Sequence, residues 1–293
     1  MQKVSLTVPP EFSFALNLEF LQRSPKEILH RVTDTHVTKL LNVDDELVLF
    51  RVSFNKSKLQ LEFLKDIPSE KALRVVSDFT REWFDLDTDL KPFYTMASED
   101  KLLRDLVTQY HGYRIVALPD LFESLVWGVM GQQINVQFAY TIKQRFVELY
   151  GDKIEFEGEH YYLFPTAKRV SVLKLEELLP LQFSRQKALY TILIAQAFVT
   201  GAVSKQKLKG MSLNEAKEEL IKIKGVGNWT ANYALMKTFR YPDAFPLEDV
   251  AIHNAIRKLK KMKAKPSIDQ VKRIFRKYKG WEAYATLYLW KSL

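Results

Sequence analysis

The sequence predicts an α+β fold: a small antiparallel α/β domain over residues 1–90, followed by a mostly α-helical core over 91–293. Three observations predict it. Residues 4–65 alternate apolar and polar positions at period 2, helical spacing takes over from Lys91, and no Gly-rich phosphate loop joins the early strands to a helix. At 293 residues and 47% hydrophobic, the chain can bury a core and divide into two or three domains.

Residues 4–8, 35–41, 46–54 and 58–64 are β-branched or alternating and read as strands. Asn42-Val43-Asp44-Asp45 and Asn55-Lys56-Ser57 supply turns between them. One helix opens at Pro10 and runs to Gln22; a second spans 69–84, with Ser69 as its cap. Trp83-Phe84-Asp85-Leu86-Asp87-Thr88-Asp89-Leu90 marks the boundary. The aromatic pair is expected between the domains, and the aspartates as caps for the next element. Their spacing suggests a calcium loop, but the glycine and terminal glutamate of such a loop are missing.

Helical spacing then predicts elements over 98–110, 121–130 (capped by Asp120) and 136–150, with Gly131-Gln132-Gln133-Ile134-Asn135 interrupting the last two. Residues 151–165 carry four acids and read as an exposed loop or short hairpin. Helices over 173–179, 185–200 and 212–223 come next, the second with Ile192, Ala195 and Val199 as a core stripe. Residues 258–279 hold ten Lys or Arg against Asp269 alone, split by Pro266-Ser267. A solvated face and a phosphate-contacting face are both open readings of that run. The final aromatic helix, from Trp281 to Trp290, reads as core or as a ligand box.

Residues 1–90 hold 12 Lys+Arg against 15 Asp+Glu, a net of −3; the remainder, 32 against 20, carries +12. A basic C-terminal two-thirds suits a polyanionic partner, although general solubility explains it too. Zero cysteines exclude disulfides and any thiolate metal or iron–sulfur site. No apolar run approaches membrane-span length. The expectation is a monomeric protein of the bacterial cytoplasm, associated with the nucleoid.

The organising stretch runs from Lys217 to Leu259. An apolar-striped helix leads into Lys224-Gly225-Val226-Gly227-Asn228, whose two glycines are expected to adopt conformations that a Cβ forbids. Trp229-Thr230-Ala231-Asn232-Tyr233 resumes a helix whose first amides lack partners and suit an anion. Twenty residues beyond Trp229 lies Asp249. With Pro246 near the start of the last helix of this stretch, Asp249, Ile252, Ile256 and Leu259 fall on one face, so the acid should point inward. Alternatively, Asp249 merely caps that helix.

Residues 223–233, followed by Phe245-Pro246-Leu247-Glu248-Asp249, resemble the helix-hairpin-helix DNA glycosylases, in particular the DNA-3-methyladenine glycosylase II branch. The resemblance covers most of residues 112–293. Over residues 1–90 it is looser, resting on the Pro-Pro-x-Phe-x-Phe opening of a scaffold domain. It implies a helix-hairpin-helix at about 216–236 and a monofunctional enzyme that flips alkylated bases, such as 3-methyladenine, out of duplex DNA.

In that family the acid, here Asp249, serves the sugar, and Trp229, Tyr233 and Trp290 line the base pocket. Amides at Gly225, Gly227 and Thr230 grip a phosphate. Gln133 stands at the wedge position that fills the gap in the stack, although Gln132 and Gln133 satisfying local backbone groups is an equal reading. The resemblance also implies a structural Na or K ion on the carbonyls of Ile221, Ile223 and Val226, with no required cofactor. Lyase relatives carry a lysine just after the hairpin, where this chain has Trp229; Lys224 and Lys237 are badly placed to substitute. The alternatives are an oxidised-base glycosylase/lyase and a non-enzymatic helix-hairpin-helix DNA-binding protein.

Overall fold

The computed structural model describes residues 3–293. Strands β1 (Lys3–Thr7), β2 (His30–Val32), β3 (His36–Val43), β4 (Glu46–Asn55) and β5 (Lys58–Phe63) form one antiparallel sheet in the order β1-β5-β4-β3-β2. Of the turns expected at 42–45 and 55–57, only Asp44-Asp45 and Lys56-Ser57 leave the strands, joining β3 to β4 and β4 to β5 with all four residues at positive φ; Asn42, Val43 and Asn55 belong to the strands. Helices α1 (Phe14–Leu21) and α2 (Glu70–Trp83) complete this part, capped by the hydroxyls of Ser13 and Ser69. The inward set Val37, Phe50, Val52, Leu59 and Leu61 is almost fully excluded from water and packs with Phe12, Phe14, Val76 and Phe84. Strand β2 escapes sequence reading because it is three residues long and pairs with β3 alone.

The remainder is helical, apart from a small hairpin, β6 (Lys153–Phe156) and β7 (Glu159–Tyr162), in the segment expected to be a loop or hairpin. Of the helix expected over 98–110 only α4 (Arg104–Gln109) forms, and a separate helix, α3 (Lys91–Ser98), ends where it should begin. Asp100 separates them. Its carboxylate accepts from the amides of Leu102 and Leu103 and from the Tyr278 hydroxyl at 2.7 Å, a turn that competes with helix. Helices α5 (Leu121–Met130) and α6 (Val136–Tyr150) start where Asp120 and Asn135 cap them. The short α7 (Ala167–Val170) and α8 (Leu175–Leu178) precede α9 (Arg185–Val199), and α10 (Lys205–Leu208) comes after it. In α9, Ile192 and Ala195 are buried as expected, but Val199 is 54% exposed because the helix ends there.

Helices α11 (Leu213–Ile221), α12 (Asn228–Ala234), α13 (Val250–Leu259), α14 (Ile268–Phe275) and α15 (Glu282–Lys291) close the core. Pro266-Ser267 splits the basic run into α13 and α14, with Ser267 capping the latter. The segment expected to mark the boundary is a packed joint. Phe84 is fully buried against Phe12 and Phe14; of the aspartates expected as caps, Asp89 accepts from Lys91 N at the start of α3, whereas Asp85 is 1% exposed within the joint. Arg114 spans the joint, donating to Glu11 and to the carbonyls of Asp85 and Thr88.

Candidate active site

Helix α11 is fixed at its start by a Ser212–Glu215 capping box and ends in the hairpin 222–227. Gly225 has φ +99°, and a Cβ there would lie 2.2 Å from Cγ of Tyr190, so glycine is required twice over. Gly227 departs from expectation. Its backbone is ordinary extended chain (φ −91°, ψ −179°), and a Cβ would meet nothing within 4 Å. It leaves the surface bare beside the helix start. The first bond of α12 runs from Ala231 N to Gly227 O at 2.9 Å, so the amides of Asn228, Trp229 and Thr230 precede it.

Thr230 is 1% exposed, and its methyl comes within 2.9 Å of where a Cβ on Gly128 would stand, so α5 and α12 approach closely. Its hydroxyl accepts from the Gln132 amide at 3.2 Å, and the same amide reaches Gly225 O at 3.3 Å. The two glutamines therefore divide the two readings. Gln132 ties the α5–α6 turn to the hairpin, whereas Gln133 is exposed at φ +56° on the tip of that turn.

Asp249 also unites two readings. It is the N-cap of α13, its Oδ1 accepting from the amides of Ala251 (2.9 Å) and Ile252 (3.1 Å). Pro246 lies outside the helix, in a turn closed by Asp249 N donating to Pro246 O, so the helix begins later than expected. The cap faces inward all the same. Trp290 Nε1 donates to Oδ1 at 2.9 Å and Trp229 Nε1 to Oδ2 at 3.0 Å, while Glu248 is exposed. All four contacts are N–H donors, which an acceptor-only carboxylate can satisfy. Oδ1 takes three of them and Oδ2 one.

An aromatic layer stands on this carboxylate. Trp229 stacks on Tyr233 at 5.2 Å and 15°, and Tyr233 lies 6.4 Å from Trp290. The layer continues through residues that sequence reasoning missed. Trp127 Nε1 donates to the Tyr233 hydroxyl at 3.1 Å, and Trp127 packs on Tyr140 at 4.7 Å. Burial pushes the Tyr233 phenol up, opposed by the charge of Arg23. These rings form a cluster separate from the main core. The rest of the aromatic helix α15 is core, with Tyr284, Leu287 and Tyr288 almost wholly buried.

A family model described as the HhH-GPD superfamily base excision DNA repair protein matches residues 126–280, just over half of the chain. The chain belongs to this superfamily. The resemblance carried by residues 223–249 is thereby borne out. A second model, the 8-oxoguanine DNA glycosylase N-terminal domain, matches residues 11–125. The chain is 40% identical over 293 residues to a DNA-3-methyladenine glycosylase of Bacillus subtilis (strain 168), covering 99% of this chain and 97% of that one. It is 28% identical over 181 residues to DNA-3-methyladenine glycosylase 2 of Escherichia coli (strain K12), covering 61% and 60%. In fold it is similar to a 3-methyladenine DNA-glycosylase from Archaeoglobus fulgidus, with TM-score 0.83, 22% identity, and 99% and 98% of the chains covered.

The structure brings Asp249, Trp229 and Tyr233 of the matched region together with Trp290 from the helix beyond it, with Gly225, Gly227 and Thr230 on the adjoining hairpin. Among the described residues no lysine forms an ion pair with Asp249; Lys224 is exposed and Lys237 is 2% exposed, its ammonium nitrogen turned to Val116 O. In the hairpin, Ile223 O accepts from Val226 N at 3.0 Å. Gln132, expected with Gln133 to satisfy local backbone groups, does so at Gly225 O across the site rather than within its own turn. Trp127 and Tyr140 carry no local signal, since only the fold brings them to Tyr233.

Proposed function

We propose that this chain is a monofunctional DNA-3-methyladenine glycosylase, hydrolysing the N-glycosidic bond of alkylated bases swung out of duplex DNA. The observation that carries the reading is the placement of Asp249: held by two indole N–H groups, next to the hairpin and at the edge of an aromatic cluster. The name of the Bacillus subtilis relative supports it.

Amides around Gly225, Gly227 and Thr230 hold a backbone phosphate, anchoring the duplex without reading sequence. Gln133, exposed at the tip of its turn, enters the gap left by the flipped nucleotide. Flipping costs a few kcal/mol, less for a damaged base. Trp229, Tyr233 and Trp290 supply faces for the base, each attracting a cationic purine by roughly 0.5–2 kcal/mol. An alkylated purine carries positive charge already, so it departs without a general acid and one carboxylate suffices. Oδ2 of Asp249, the less engaged oxygen, faces the oxocarbenium-like sugar and orients or deprotonates the attacking water.

With Trp229 where lyase relatives have lysine, no amine is at hand for a Schiff base, and borohydride should trap no covalent protein–DNA product. The alkali ion would use neutral oxygens only, and Ile223 O has a second lone pair to offer beside those of Ile221 and Val226. No cofactor is required. The working unit is a monomer acting on damaged duplex DNA at the bacterial nucleoid.

The test is base release from methylated duplex DNA, followed by chromatography. The wild-type protein should liberate 3-methyladenine. Asp249→Asn should liberate none while still binding DNA, and unchanged release by that variant overturns the assignment.

A further inference from the structure

The cleft between the sheet and the helical core holds a cation that base excision as proposed leaves unused. A cavity of about 510 Å³ lies there, and Trp127 and Tyr140, two rings of the aromatic cluster, line it together with Arg23 and Phe20. Arg23 lies just beyond α1. Its Nε donates to the Tyr140 hydroxyl, and its guanidinium carbon lies 4.0 Å from the Phe20 ring centroid and 5.5 Å from that of Tyr140. Two rings and one hydrogen bond therefore hold the fork in place.

Among the described residues, its two terminal nitrogens have no acceptor and no carboxylate lies within ion-pair distance, yet solvent reaches the side chain. The buried cations of this joint, unlike the exposed Arg23, are answered. Arg114 engages Glu11 and two carbonyls, and Lys143 sits between Glu27 at 2.8 Å and Glu123 at 2.9 Å. A fixed guanidinium with a free donor edge is a preorganised bidentate partner for a carboxylate.

We propose that Arg23 is a specificity-determining residue of the base pocket, favouring damaged purines whose alkyl substituent ends in a carboxylate over purines carrying a plain methyl group. The inference rests on the glycosylase reading and names a substrate class for its pocket. A purine methylated at N3 or N7 is a cation, and a fixed cation on the pocket wall opposes it. A carboxymethylated purine has the same charged ring, but its substituent brings an anion that matches the fork. The cavity behind Tyr140 provides room for that substituent, which a methyl group does not need.

The experiment compares two duplex substrates, one methylated with dimethyl sulfate and one carboxymethylated with diazoacetate, for wild type, Arg23→Gln and Arg23→Lys. The readout is the ratio of carboxymethylpurine to methylpurine release within one preparation, which is insensitive to the folded fraction of a variant. Wild type should release both. The ratio should fall at least tenfold in Arg23→Gln, and less in Arg23→Lys, which keeps the charge and loses the fork. An unchanged ratio in Arg23→Gln overturns the proposal, as does a wild type that releases methylpurines and no carboxymethylpurine. A wild type that releases neither overturns the glycosylase reading and this proposal with it.

Discussion

Asp249 and Asp85 each accept a hydrogen bond from an aromatic side chain of α15, and their surroundings diverge from there. Asp85, at the domain joint, is 1% exposed; it accepts from the hydroxyls of Tyr284 and Thr88, and Arg240 Nε lies 3.4 Å away. Burial pushes its carboxyl up, against the hydrogen bonds of Tyr284 and Thr88 and the charges of Arg114 and Arg240. Asp249 is half-buried and held by indoles and amides, all neutral donors, with no cation in ion-pair contact among the described residues. A carboxylate that holds structure is closed off and answered by counter-charge. One kept for a substrate is fixed by dipoles alone, so its charge remains available to a cation that forms beside it.

Exchanging each acid for its amide is the strongest way to break this comparison. Asp249→Asn should lower single-turnover base release by about 10³-fold or more, the scale of losing a preorganised electrostatic partner of the transition state. Its denaturant midpoint should stay near wild type. Asp85→Asn should do the reverse, costing about 3 kcal/mol of stability because Arg240 and Tyr284 lose a buried anionic partner. Base release per folded molecule should barely change. If Asp85→Asn abolished release in fully folded protein, the division between structural and substrate-facing acids would be wrong.

The same contrast explains what was legible in the sequence. The hairpin and its acid lie within one 43-residue stretch, so local pattern together with the family resemblance placed them; local capping chemistry likewise gave Ser69 and Asp120 their helix starts. The joint was not legible. Asp85 meets Tyr284 across 199 residues and Arg23 meets Tyr140 across 117, and no periodicity encodes such pairs. The break at Asp100 escaped for the same reason, because its carboxylate is completed by Tyr278, in the turn beyond α14. Even at the acid, the helical face was deduced from Pro246 as the start, whereas Asp249 itself turned out to be the cap. The inward direction survived because a cap and a pocket wall are compatible roles for one carboxylate.

A smaller effect separates the ring faces of the site from their edges. Trp290→Phe keeps an aromatic face and removes the Nε1–H that meets Oδ1 at 2.9 Å. It should slow the chemical step about 10-fold or more, the low end of the roughly 1.5–3 kcal/mol of one hydrogen bond to a charged group, with little change in DNA affinity. Trp229→Phe should cost somewhat more. Its N–H is the one donor on Oδ2 among the described residues, so that oxygen would be left free to swing. A loss confined to binding, with the chemical step intact, would show that the indoles serve only as stacking faces.

The smallest effect concerns the joint's own pH dependence, from which the open site should be exempt. Burial, the first cause, pulls His30 down to about 4, with Glu27 opposing and Lys39 and Lys143 assisting; the ring rests on Leu21 O at 3.1 Å through Nε2. A histidine whose folded value is depressed is protonated first in the unfolded chain. Between pH 6.5 and about 4, then, the unfolded state binds the extra proton, and stability falls as the pH falls through that window. Glu27 acts lower down: burial raises its carboxyl, Lys143 and His30 outweigh that, and it is held at about 2, so its contribution fades only from 4.5 downward. His30→Gln keeps a donor for Leu21 O and removes the titration. After allowance for partial exposure, it should recover about 1 kcal/mol at pH 4.5 relative to wild type and nothing at pH 8, measured by urea denaturation at the two pH values. An equal gain at both values would place the effect in packing, and the joint would then owe nothing to buried charge at that position.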